Sequence, residues 1–103
     1  MANAVHTRYV AECFWAGVRQ EDLHQLDRRI EASVEAVAGE GEPVRYLGWL
    51  LVIDDEVVLV LFEGAGGTVR RVAEHAEIPF GRILAVAYAP WPRNRAADEE
   101  AMT

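Results

Sequence analysis

Tyr46 and Glu63 bracket the most apolar stretch of the chain, residues 44–63, and their types and spacing could do chemistry. A carboxylate beside a phenol can act as a general base or anchor a polar ligand at a pocket mouth. If the stretch folds back on a two-residue turn at Asp54-Asp55, paired residues sum to 109, and Tyr46 lies directly opposite Glu63 on one sheet face. The plainer reading is a strand-end carboxylate hydrogen-bonded to a tyrosine or to loop amides. A three-residue turn would instead pair residues summing to 110 and bring Leu47 and Trp49 onto the face of Glu63. Trp49 then reads as a ligand-site wall or as a core or interface anchor. Glu12 is the other carboxylate of interest, because in mid-strand under cover it needs a partner. Arg82 would supply one; a polar wall of a cavity is the alternative.

The remaining inventory is thin. The chain has no lysine, and its ten basic residues are all arginine. That removes Schiff-base chemistry and any phosphate-loop lysine. The one serine, Ser33, falls in the middle of an expected helix, which argues against a serine hydrolase. Cys13 reads as a small core residue. Imidazoles and carboxylates suit nickel or zinc, and His75 with Glu63 would be the donors. No His-x3-His pair or His/Cys cluster exists, however, although a site could still assemble across a dimer. His24 and His75 otherwise read as solvated helix residues beside Asp27 and Arg71. Gly64-Ala65-Gly66-Gly67 precedes a helix and could cradle an anion, although it lacks nucleotide-binding spacing and reads more simply as a loop.

The elements that must position these groups follow from periodicity. Residues 7–14 read as a strand, rich in aromatic and β-branched types. Leu23, Leu26, Ile30, Val34 and Val37 form one stripe of a helix over 20–38, ended by Gly39 and Pro43. The run 44–63 is apolar on successive rather than alternate residues, so both faces of its two strands should be covered. Thr68 is a fair N-cap for a helix to about Glu77, with Val69, Val72, Ala73 and Ala76 inward. Residues 83–88 read as the last strand. A βαββαβ order with right-handed crossovers predicts an α+β, ferredoxin-like sandwich: an antiparallel sheet in the order 4-1-3-2 with both helices on one face. Two helices cover only one face, so the other is expected to meet a second copy, forming a dimeric α+β barrel. The domain is expected over 7–88, between a flexible 1–6 and a mobile tail over 89–103.

At 103 residues, with half hydrophobic and a quarter charged, the composition is that of one globular domain. A net charge of −7 repels phosphate backbones and anionic lipids, so neither nucleic acid nor membrane is an expected partner. The opening residues lack a charged and apolar leader pattern, and a lone cysteine suits a reducing compartment; the expectation is cytoplasmic.

Three segments carry a resemblance: Tyr46-Leu47-Gly48-Trp49-Leu50-Leu51-Val52, Asp55 through Glu63, and Ala76-Glu77-Ile78-Pro79-Phe80-Gly81-Arg82-Ile83. They resemble a domain-of-unknown-function family of small ferredoxin-like bacterial proteins that includes actinobacterial nickel-binding, nickel-responsive members. Arg19 and Glu77 depart from the family pattern, where a capping Thr or Ser and a small residue are usual. The resemblance implies a ferredoxin-like dimer and, for part of the family, bound nickel. The expectation from all of this is a dimer that binds a small ligand or a divalent metal ion. A cofactor-free monooxygenase, isomerase or cyclase inside the barrel, or a protein-interaction module, are the alternatives.

Overall fold

The structure, a computed structural model, describes residues 7–87. The expected flexible start over 1–6 and tail over 89–103 therefore lie outside the described residues, as do His6, Tyr88 and Trp91. The elements run β1 (Arg8–Phe14), α1 (Gln20–Ala38), β2 (Val44–Val52), β3 (Val57–Gly64), α2 (Gly66–His75) and β4 (Arg82–Val86). Together they make an α+β fold with one open, four-stranded antiparallel sheet and two helices, consistent with a ferredoxin-like fold. The strands lie side by side in the order β2-β3-β1-β4.

The core lies between the helices and one sheet face. Strand alternation sends Tyr9, Ala11 and Cys13 of β1 and Val58, Val60 and Phe62 of β3 to that side. Leu23, Leu26, Ile30 and Val37 of α1 and Val69, Val72 and Ala73 of α2 meet them, all fully or nearly fully buried. Ser33 also faces inward, one residue before the expected Val34, which is only half-buried. The stripe therefore runs 23, 26, 30, 33, 37, with a hydroxyl in the middle.

Local chemistry explains the helix ends. Asp22 accepts from the Arg19 amide at 2.9 Å, and the Arg19 side chain reaches back to the same carboxylate. An arginine thus completes a capping arrangement usually made by Ser or Thr, and it holds the Asp22 carboxyl below its ordinary range, chiefly through that backbone hydrogen bond. α2 begins at Gly66, two residues before the expected cap. A Cβ on Gly66 would sit 2.9 Å from the Tyr9 hydroxyl, so glycine lets the first turn lie against β1. Thr68, already inside the helix, donates instead to Glu42 at 2.9 Å. At the other end Glu77 takes a left-handed φ of 58°, and Ile78 donates to Ala73 at 2.9 Å, closing the helix with a Schellman turn.

The second sheet face carries no helix. Val10, Leu50, Leu59, Leu61 and Leu84 lie on it, with Phe14 and Ile53 exposed at 69% and 75% toward the end of the β2–β3 hairpin. The hairpin tip, residues 53–56, is pinned from the side. Glu56 accepts from the Trp15 amide through its carbonyl and from the Gly17 amide through its side chain, both at 2.9 Å.

Candidate functional site

Register decides which polar groups meet. Near the tip, β2 and β3 pair as Val52↔Val57, Leu50↔Leu59 and Gly48↔Leu61, summing to 109. Beyond Gly48 the sum falls to 108, giving Tyr46↔Phe62 and Arg45↔Glu63. Leu47 is the surplus residue of a β-bulge, with Gly48 at φ 119° beside it. Tyr46 therefore does not stand opposite Glu63, as a regular ladder would have it, but on the other face of the sheet. Its hydroxyl donates to Asp27 of α1 at 2.5 Å, and its ring tilts against Phe62 at 5.7 Å. Burial, and then this hydrogen bond to a carboxylate, push the Tyr46 phenol far toward its protonated form. Tyr46 is thus a strut between sheet and helix. Trp49, opposite Val60, also faces the helices and packs on the core rather than on a site shared with Glu63.

On the open face, Glu63 pairs across β3 with Arg45 on one side and Arg8 on the other. Its carboxylate is 6% exposed; Oε1 accepts from Arg45 Nη1 at 3.1 Å, and Oε2 meets Arg8 Nη2 at 3.2 Å. One buried carboxylate so fixes two guanidinium groups. They stand at a concavity of about 320 Å³, with Leu47, Leu61 and Val86 among its walls. Arg8 and Arg45 are the members of this site that sequence reasoning missed. Glu12 is on the same face but nearer its other end, where its Oε1 accepts from Arg82 Nε at 2.6 Å. That ion pair holds Arg82 more firmly protonated and occupies Glu12 structurally. Tyr46, Glu63, Glu12 and Trp49 are therefore not one cluster: two face the helices, and two lie apart on the open face.

The metal-donor pair fails geometrically. His75 is on α2, behind the sheet, whereas Glu63 is on the face that carries no helix, so the two cannot share an ion within a chain or across a pairing of open faces. Among the described residues no group of three or more His, Cys, Asp or Glu side chains is placed to hold a metal. Among the described residues, the expected donors His75 and Glu63 therefore do not meet at one nickel site. His75 Nδ1 instead lies 3.1 Å from Ser33 Oγ. Ser33 donates its hydroxyl proton to the Val72 carbonyl at 3.0 Å, so Nδ1–H is the donor between them. The direction of those protons, and the complete burial of Ser33, make the pair a helix-to-helix tie rather than a nucleophile and base. The glycine-rich segment is divided between the end of β3 and the first turn of α2, with Gly66 closed off by Tyr9, so it is no open cradle.

Cys13 is fully buried on the helix side of β1, and burial, with Glu12's charge behind it, pushes its thiol up to about 11 from 9.0. A folded-state value above the unfolded one means that stability is complete below pH 9.0 and is lost as pH rises toward about 11. The loss attributable to this thiol is about 2–3 kcal/mol. Urea midpoints measured on either side of that window should diverge, and Cys13→Ala should narrow the difference, the Tyr46 phenol supplying part of what remains. An equal fall in the variant would remove the thiol as its cause. The folded protein should also resist thiol reagents that label it once unfolded.

No family model matches the chain, and no curated protein matches it. The fold has a solved counterpart. The crystal structure of SCO4226 from Streptomyces coelicolor A3(2) matches with a TM-score of 0.63 at 20% sequence identity, covering 81% of this chain and 99% of that one. At that identity the likeness to SCO4226 is one of fold.

Proposed function

We propose that this protein is a homodimer that holds a small ligand between two apposed sheets. The observation that carries the reading is the open sheet face: an apolar floor leading to a concavity whose only charged lining residues, among those described, are Arg8, Arg45 and Glu63. Charge permits self-pairing of this face. The chain as a whole carries −7, yet the open face presents Arg8, Arg45 and Arg82 against Glu12 and Glu63. Two copies can thus meet here without opposing the acidic surplus carried elsewhere. An apolar face of this extent on a single copy is otherwise a liability.

Binding rather than catalysis fits the polar groups. Both Glu63 oxygens are engaged by guanidinium groups, and Tyr46 is turned away. Among the described residues no helix is long and apolar enough to cross a membrane. Multi-angle light scattering should return twice the chain mass of 11.5 kDa; a value of one chain mass sinks the dimer.

A further inference from the structure

We infer that the second copy sits crosswise, its hairpin tip closing the concavity of the first, so that each site is built from both chains. The inference rests on the dimer reading above and fixes how the copies meet. Each end of the open face carries a distinct feature. At one end the row of Phe14, Val57 and Val52 leads to Ile53, and Phe14 and Ile53 are the most exposed apolar side chains described. Asp54 and Asp55 follow at the exposed tip, which the Trp15 and Gly17 amides hold through Glu56. A tip held in this way loses little freedom on docking. At the other end, about 20 Å along the strands, lie the concavity and Arg45, which is 74% exposed and meets Glu63 through Nη1.

A two-fold axis running across the strands, between the rows of Val10 and Glu12, sets each end over its opposite. Arg45 then faces the partner's Val52, and its long side chain reaches on to the carboxylate of the partner's Asp54. Leu50, 58% exposed, stands over the partner's Gly48, where a Cβ would meet nothing within 4 Å. Leu59 meets the partner's Leu61. An axis along the strands would instead set Leu50 against the partner's Arg82. It would also gather both tips at one end, with Glu12, Asp54, Asp55 and Glu56 of each copy against Arg82. That concentration of like charge disfavours it.

The test treats the full chain carrying Arg45→Cys/Asp54→Cys with a short bismaleimide. Residues 45 and 54 of one chain are about 25 Å or more apart along β2, so a bridge forms only between copies. The variant should run as a covalent dimer on denaturing gels. Neither single variant, nor Arg82→Cys/Asp54→Cys, nor the unaltered chain with its buried Cys13 should do so. Independently, Asp54→Asn/Asp55→Asn, at exposed positions, should raise the dimer dissociation constant about two- to thirtyfold in sedimentation equilibrium, as two contacts of the size of exposed ion pairs would. Circular dichroism should not change. A covalent dimer of the Arg82 variant or of Asp54→Cys alone would overturn the crosswise arrangement. So would a dimeric mass without the bridge between 45 and 54, or a dissociation constant unmoved by the asparagines; each leaves the dimer standing. One chain mass for the unaltered protein would overturn the dimer and the arrangement together.

Discussion

Val10→Glu should yield a folded chain whose mass in light scattering is that of one copy. Val10 is at the centre of the open face, flanked by Leu61 on β3 and Leu84 on β4. In a two-fold pairing the same patch meets itself, so one substitution introduces two carboxylates. Removing an ionised carboxylate from water costs several kcal/mol unless it is paired. A single copy avoids that cost by leaving the side chain hydrated, and the helix-side core is untouched. The strand itself loses at most about 1 kcal/mol in intrinsic preference. Far-ultraviolet circular dichroism should keep its shape while the mass falls. A variant that retains the mass of two chains would show that the copies do not meet through this face.

Phe62→Ala should have the largest effect on stability. The ring is fully buried, cross-strand from Tyr9 and Tyr46 and in ring contact with the latter. Truncating such a ring costs about 3–5 kcal/mol, because the site collapses only partly around the void. Total stabilities of domains of this size are about 5–15 kcal/mol, so the variant should unfold at much lower urea or be largely unfolded at the outset. The damage extends beyond the void, since the ring also backs the tyrosine that ties β2 to Asp27 of α1. A measured loss below about 1 kcal/mol would mean that this end of the core repacks freely.

Much of the fold was legible because hydrophobic periodicity and chain breakers act locally. The bounds of α1 follow from its stripe with Gly39 and Pro43, and the inward residues of α2 follow from spacing alone. The Glu12–Arg82 pair was legible too, because it depends only on which strand ends lie together. The site was legible only in part. Glu63 stood out as a carboxylate ending an apolar run, but its partners did not. Arginines are abundant here, and nothing local marks which of them share a row; register alone does that. A regular ladder placed Tyr46 beside Glu63, and the bulge at Leu47 replaced it with Arg45. A glycine inside a strand pattern was the available signal. Ser33 was hidden for a related reason: a polar residue on an inward position is read as outward unless its partner, here the Val72 carbonyl one helix away, is known.

The surplus residue in β2 has a bearing on how this segment tolerates change in length. Deleting Leu47 would remove the extra position and restore an unbroken ladder, with Arg45 still beside Glu63 and Tyr46 still toward α1; the pocket would lose a wall and little else. A side chain at Gly48 leaves the length alone yet is the graver alteration. At φ 119° any other residue is strained, and the strand could relieve that strain by straightening. Straightening with Leu47 present shifts every earlier residue by one partner, turning Tyr46 outward and the Arg45 guanidinium into the oily interior. In this strand a shortened chain preserves the parity of inside and outside, whereas a chain of unchanged length can reverse it.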